Sequence, residues 1–89
     1  MYSLYILRSA EKNWHYIGST SDVENRIEEH NAGEVRSTKA YRPLIVVYKE
    51  DFNDKMSARK RELFLKRTAK ARKELFEKIR SITFEWHAD

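Results

Sequence analysis

The chain has 89 residues, with 18 Lys and Arg against 14 Asp and Glu, and it contains no cysteine. This length predicts a single domain over residues 1–89, and the lack of cysteine excludes disulfides, thiolate metal sites and a cysteine nucleophile. No apolar run approaches the ~20 residues of a membrane span, and the first residues lack the basic start of a secretory signal, so we expect a cytoplasmic protein with no membrane partner.

The first two predicted elements form a β-hairpin. Residues 2–8 alternate as a strand, residues 9–13 make a polar connection of hairpin length, and residues 14–18 form a second, shorter strand that ends at a glycine. Antiparallel pairing across this turn would bring Tyr5 and Tyr16 within reach of one ligand atom.

The next segment is typical of a short helix. Ser21 and Glu24 have the spacing of a capping box, and Gly33 is a good left-handed terminator. Arg26 and His30 are four residues apart, so both side chains point the same way, beside the apolar stripe of the helix. They are candidates for a functional site; the alternative is a surface ion pair for the arginine and a surface position for the histidine.

The second half of the chain predicts a strand followed by helices. Residues 44–48 are a continuous apolar run, which favours the central strand of a sheet covered on both faces. Asn53 or Asp54 can cap the helix that follows. The further predicted elements are a helix over residues 55–67, a helix over residues 71–80 and an extended tail over residues 81–86. The order ββαβαα predicts an α+β fold, a three-stranded, mainly antiparallel sheet flanked by helices.

Glu62 has an unusual position on the second predicted helix. It lies in one helical row with Ala58, Leu65 and Ala69, which are small or apolar. A carboxylate in such a row is costly unless it is paired or binds a metal. The pattern therefore indicates a functional carboxylate.

Basic residues are concentrated between Lys55 and Lys73, and a smaller cluster precedes the third strand. Such clusters are typical of proteins that neutralise nucleic-acid phosphates, although a solvated helix face gives the same pattern. The residues predicted to contact DNA are Arg36, Lys39, Arg42, Lys60, Lys66, Arg67 and Lys70.

Five side chains together suit phosphodiester cleavage: Tyr5, Tyr16, Arg26, His30 and Glu62. Phenols can transfer a proton and hydrogen-bond to phosphate oxygens, and a guanidinium can neutralise developing charge with two hydrogen bonds. One carboxylate can hold a hydrated Mg²⁺. Two tyrosines on strands, taken alone, are more often packing residues.

The ordered spacing of these residues, with Tyr16-Ile17-Gly18 as the second motif, resembles the GIY-YIG nuclease family over about residues 2–66. The chain is most similar to the small stand-alone members. The family also includes homing endonuclease catalytic domains and the N-terminal nuclease domain of the bacterial excision-repair incision subunit. Two features depart from the family pattern: Ser3 replaces the glycine of the first motif, and no asparagine follows the predicted helix that carries Glu62.

The resemblance implies a ββαβαα fold and assigns a role to each site residue. Glu62 would hold Mg²⁺ or Mn²⁺, the two tyrosines would act on the attacking water and the phosphate, Arg26 would stabilise the transition state, and His30 would be an auxiliary proton carrier.

The implied function is a metal-dependent endonuclease acting on DNA, in repair or recombination, with RNA as an alternative substrate and a protein partner as a source of specificity. A catalytically weak nucleic-acid-binding module and an interaction protein that uses the basic helices are the alternatives. The sequence predicts no oligomeric state.

Overall fold

The computed structural model describes the backbone of residues 1–88 and the side chains of residues 1–81. Its elements are β1 (Tyr2–Ser9), β2 (His15–Thr20), α1 (Val23–Asn31), a short 3-10 helix (Lys39–Tyr41), β3 (Leu44–Phe52), α2 (Lys55–Arg67) and α3 (Ala69–Ala88). The order ββαβαα and the antiparallel pairing of all three strands confirm the predicted α+β fold class. None of the described helices is long and apolar enough to cross a membrane.

The central strand of the sheet is β1, because the strand order is β2-β1-β3. Residues 3–7 of β1 are all buried. The prediction that residues 44–48 form the central strand is wrong, since β3 lies at an edge of the described sheet and exposes 46% of Ile45 and 39% of Val46. An apolar run indicates a strand, but the hairpin partner and the returning chain decide which strand lies between two others.

Each face of the sheet carries its own hydrophobic cluster, because successive strand residues point to opposite sides. On one face, α2 and α3 pack Leu65 and Ile79 against Leu4, Ile6 and Ile17. The opposite face is covered by α1, and its cluster contains Tyr5, Leu7, Leu44, Trp14, Tyr16, Val23, Ile27 and Tyr41. We call these the α2/α3 face and the α1 face.

Helix α1 begins one residue later than the capping-box pattern predicts. Its N-cap is Asp22, whose carboxylate accepts a hydrogen bond from the Asn25 backbone N–H at 3.1 Å. The prediction of Ser21 as the cap is therefore wrong. A carboxylate at this position also interacts favourably with the positive end of the helix dipole, which a hydroxyl does not.

Helix α1 stops at Gly33, as predicted, and the chain changes direction there. Gly33 has a φ of 81°, and its N–H donates to the His30 carbonyl at 3.1 Å. The N–H of Glu34 donates to the Glu29 carbonyl, also at 3.1 Å. These two bonds form a Schellman motif, which turns the following loop back over the helix. That loop carries Thr38 to the side chain of His30.

Helices α2 and α3 follow β3. The bounds of α2 match the prediction, and Asp54 caps it by accepting a 2.7 Å hydrogen bond from the Ser57 N–H. Helix α3 continues to Ala88, so the prediction of an extended tail over residues 81–86 is wrong. Once a helix has formed, each added residue gains a backbone hydrogen bond at little cost, which outweighs a local preference for extended structure.

Candidate active site

The two predicted catalytic tyrosines lie side by side on the α1 face. Tyr5 on β1 is directly opposite Gly18 on β2, and its ring centroid is 6.3 Å from that of Tyr16. A Cβ at residue 18 would lie only 2.6 Å from Tyr5 Oη and 3.0 Å from a ring carbon of Tyr16. The absence of a side chain at Gly18 therefore makes room for the Tyr5 phenol.

A buried chain of polar contacts runs from Tyr5 through His30 to Thr38. Tyr5 Oη is 3.0 Å from His30 Nε2, and His30 Nδ1 is 2.8 Å from Thr38 Oγ1. Tyr5 is 2% exposed, whereas His30 and Thr38 are fully buried. The imidazole also lies edge-on to the rings of Tyr5 and Tyr16, at centroid distances of 5.8 and 5.1 Å. His30 is thus a core residue of this site and not a surface histidine.

The guanidinium of Arg26 provides the positive charge beside the tyrosines. Burial raises the pKa of Tyr5 to about 12, although the neighbouring Arg26 acts to lower it. The contact with Tyr5 in turn raises the pKa of Arg26 above its ordinary value. The alternative surface ion pair exists only as a 3.5 Å contact with Glu29, and the arginine side chain keeps 34% of its surface exposed. Arg26 is therefore a cation that solvent or a phosphate can reach.

Glu62 enters the site from α2 and is 3% exposed. Its Oε1 accepts a 2.7 Å hydrogen bond from Ser19 Oγ, and its Oε2 accepts hydrogen bonds from Arg59 at 3.1 Å and Lys66 at 2.6 Å. Burial acts to raise the pKa of Glu62, but the hydrogen bonds from Lys66 and Ser19 and the two positive charges outweigh burial and hold that pKa below its usual range. The carboxylate is consequently ionised at neutral pH.

The tyrosines and the carboxylate approach one another around the outer edge of β2. Ser19, the partner of Glu62, directly follows Gly18, which lies against Tyr5. Lys66 Nζ bonds to Glu62 and lies 5.9 Å from the ring centroid of Tyr16. Because β2 is an edge strand of the described sheet, a phosphate placed at this edge could contact groups from both faces.

The donor set around Glu62 fits a hydrated divalent ion bound through one oxygen. An ionised carboxylate oxygen can accept about two hydrogen bonds, and Oε1 accepts one from Ser19. No group of three or more His, Cys, Asp or Glu side chains among the described residues could form an all-protein metal site. Mg²⁺ retains several waters and needs only one or two carboxylates, so Glu62 Oε1 is sufficient as its protein ligand.

The residues predicted to contact DNA fall into four places. All seven residues are exposed on the surface, and Lys66 also belongs to the Glu62 site. On α2, Lys60 and Arg67 are two and five residues from Glu62, which places them on the opposite side of the helix from the carboxylate. Arg36, Lys39 and Arg42 lie between α1 and β3, and Lys70 is in the first turn of α3. Contact of these residues with DNA stays a prediction.

Three residues of the site were not predicted from the sequence: Ser19, Thr38 and Arg59. Arg59 is three residues before Glu62 on the same helix, a spacing at which side chains meet, so this contact could have been found. Ser19 is 43 residues from its partner Glu62 in the sequence, and Thr38 is 8 residues from His30. Neither residue lies in a local pattern that indicates a site.

Comparisons with known proteins show which family this chain resembles. The model of the GIY-YIG catalytic domain family matches residues 1–75. The UPF0213 protein VNG_2274C of Halobacterium salinarum is 33% identical over 75 residues, which cover 83% of this chain and 96% of that protein. The UPF0213 protein SH2523 of Staphylococcus haemolyticus is 39% identical over 71 residues, covering 79% of this chain and 85% of that protein.

A solved structure is also similar. The solution NMR structure of the UPF0213 protein BH0048 from Bacillus halodurans superposes with a TM-score of 0.53 at 28% identity, covering 88% of this chain and 83% of that one. The name UPF0213 specifies no reaction, so these relatives support the family and not a particular activity.

Proposed function

The chain belongs to the GIY-YIG catalytic domain family, and from that premise we propose that it is a metal-dependent endonuclease that hydrolyses phosphodiester bonds in DNA. The family supports a nuclease-like function and implies DNA as the substrate. The observation that supports the proposal is a buried Tyr5–His30 contact beside the cationic Arg26. An ionised Glu62 is bound to Ser19, the residue after the Gly18 that lies against Tyr5.

Each side chain has a role that its surroundings support. Tyr5 holds the attacking water through its phenol oxygen, and Tyr16 orients the phosphate beside it. Arg26 neutralises the charge that develops on the phosphate oxygens. GIY-YIG nucleases generally depend on a divalent metal. Glu62 would hold that metal here, and the metal would supply Lewis-acid stabilisation of charge on the phosphate.

The charge balance of the site favours an anionic substrate. In the free protein Glu62 is matched by Lys66 and Arg59, so these three groups carry one net positive charge before Arg26 is counted. A scissile phosphate would balance the one positive charge of these three groups, and it would also compete with the carboxylate for the two cations. We therefore propose that metal binds far more tightly once DNA is present.

One assay tests the proposal directly. Purified protein would be incubated with labelled single-stranded, duplex, nicked, flapped and branched DNA, and with the matching RNAs, in Mg²⁺, Mn²⁺ or EDTA. We expect strand cleavage of at least one DNA in Mg²⁺ or Mn²⁺ and none in EDTA. Cleavage that persists in EDTA would exclude a metal-dependent reaction. Cleavage of RNA alone would show that the substrate is RNA and not DNA.

A second candidate function is a catalytically weak DNA- or RNA-binding module that keeps the nuclease fold. The two cations on Glu62 favour it, because they compete with a metal for the carboxylate. Salt-dependent binding to every substrate of the panel, without cleavage of any, would support this function over the first.

The exposed basic residues of α2 and α3 are expected to supply sequence-independent affinity. Replacing Lys60, Arg67 and Lys70 with Glu should weaken binding to all DNA sequences alike. Each lost phosphate contact should reduce the slope of log affinity against log salt by about 0.9 on duplex DNA. Affinity would be measured by fluorescence anisotropy over a range of NaCl concentrations.

A second variant, on the loop between α1 and β3, provides the comparison. It replaces Arg36 and Lys39 with Glu but keeps Arg42, because Arg42 Nε donates a 2.9 Å hydrogen bond to the Lys39 carbonyl and supports the loop. If the loop variant lost affinity and the helix variant did not, the DNA would lie along the loop and the helix charges would only be solvated.

A further inference from the structure

Thr38 is fully buried in the loop that follows α1, and the functions described above do not use it. Its Oγ1 is 2.8 Å from His30 Nδ1 and 3.3 Å from the Val35 carbonyl oxygen. A buried hydroxyl between a ring nitrogen and a carbonyl limits where the protons of its neighbours can be. The contact therefore bears on which nitrogen of His30 carries a proton.

His30 is neutral in this environment. Burial and the positive charge of Arg26 lower the pKa of His30, although Glu29 acts in the opposite direction. A neutral imidazole has one N–H and one bare nitrogen. The hydrogen bonds from Tyr5 through His30 to Thr38 can therefore be arranged in two ways, one for each tautomer of His30.

In the first arrangement every proton has an acceptor. The Thr38 hydroxyl donates to the Val35 carbonyl, His30 Nδ1–H donates to Thr38 Oγ1, and the Tyr5 hydroxyl donates to the bare Nε2. In the second, Nε2–H donates to Tyr5 Oη, and the Tyr5 hydroxyl then has no acceptor among the described residues. An unpaired buried hydroxyl is costly, so the first arrangement is favoured.

We propose that Thr38 is a positioning residue that holds His30 as the Nδ1–H tautomer, which leaves Nε2 bare to accept the proton of Tyr5. In the reaction, which rests on the function proposed above, a proton of the attacking water moves to Tyr5 Oη while the Tyr5 proton moves to His30 Nε2. The resulting hydroxide forms the bond to phosphorus, and the bond from phosphorus to the leaving oxygen breaks.

The relay solves a difficulty of tyrosine as a base. With a pKa of about 12, Tyr5 is almost never a phenolate at neutral pH. When it passes its own proton to His30 as it accepts one from water, no free phenolate has to form. The extra proton then returns from His30 through Tyr5 to solvent, and solvent supplies a proton to the leaving oxygen.

The test compares Thr38→Val, which keeps the shape of the side chain but removes the hydroxyl, with Thr38→Ser, which keeps the hydroxyl. Long-range ¹H–¹⁵N NMR spectra of the full chain report the tautomer of each histidine. The His30 signals are identified by their loss in His30→Gln. We expect the Nδ1–H tautomer in the unmodified protein and in Thr38→Ser, and a shift towards Nε2–H in Thr38→Val.

The kinetic expectation follows from the spectra. Under conditions in which circular dichroism shows all variants folded, Thr38→Val should lower kcat by about 10-fold or more with little change in KM, and Thr38→Ser should restore it. An Nε2–H tautomer in the unmodified protein, or an unchanged kcat in Thr38→Val, would overturn the inference. If the tautomer result held and no DNA or RNA were cleaved, the positioning role would stand and the proposed nuclease function would fail.

Discussion

Glu62→Gln is expected to abolish metal-dependent cleavage and to leave the fold in place. Glutamine has the shape of glutamate but no negative charge, and it offers a metal only a neutral amide oxygen. The Ser19 hydroxyl can still donate to that oxygen, so this buried partner keeps its hydrogen bond. Lys66 and Arg59 expose 43% and 59% of their side chains, so both can be solvated when the carboxylate is lost.

Two measurements check this prediction, the single-turnover cleavage rate in Mg²⁺ or Mn²⁺ and the midpoint of thermal unfolding. We expect no detectable cleavage and a stability loss of about 2 kcal/mol, the usual net value of the two hydrogen bonds that Lys66 and Arg59 lose. Glu50→Gln is a matched control, because Glu50 pairs with Arg61 at 3.2 Å and lies outside the site. If Glu62→Gln cleaved normally but lost several kcal/mol of stability, the carboxylate would have a structural role only.

The parts of the site that could be predicted are those that depend on how side chains repeat along a single strand or helix. The two-residue period of strands placed Tyr5 and Tyr16 on one face, and the helical period grouped Arg26 with His30, whose pKa the arginine lowers. The same helical reasoning placed Glu62 towards the interior. These are local relations, in which the backbone geometry of a single element determines the direction of each side chain.

The parts that could not be predicted depend on how separate elements pack. Ile45 and Val46 belong to an apolar run, yet they are partly exposed because their strand lies at the edge of the sheet. Thr38 is an ordinary polar residue in a loop until the turn at Gly33 brings that loop over His30. No spacing in the sequence encodes such contacts.

The partners of Glu62 show why burial alone does not define a metal site. The row of apolar residues on α2 predicted that the carboxylate would need a partner, and three partners are present in the protein itself. They stabilise the ionised form, which is also the form that a metal requires. The site can therefore fold with its carboxylate charged. Under the proposed function, a bound phosphate would draw the two cations away and leave that carboxylate free to hold a metal.

Arg26→Ala is expected to reduce turnover by on the order of 10² or more, equivalent to about 2.7 kcal/mol of transition-state stabilisation. Affinity for DNA should change little, because the charge that Arg26 neutralises is largest in the transition state. The fold should remain, since the side chain is 34% exposed and its ion pair with Glu29 spans 3.5 Å. Arg26→Lys should recover only part of the activity, because an ammonium lacks the planar pair of donors.

The measurement is kcat and Kd for the same DNA, with Arg36→Ala as the control because Arg36 is an exposed arginine in the loop outside the site. That control should weaken binding slightly and leave kcat unchanged.

An NMR titration adds a readout that does not depend on cleavage. Arg26 lowers the pKa of His30, so that pKa should rise in Arg26→Ala while burial still keeps it below the ordinary value. Equal losses in affinity and in kcat would instead make Arg26 a clamp for the bound phosphate, and an unchanged His30 pKa would place the guanidinium away from the Tyr5–His30 pair.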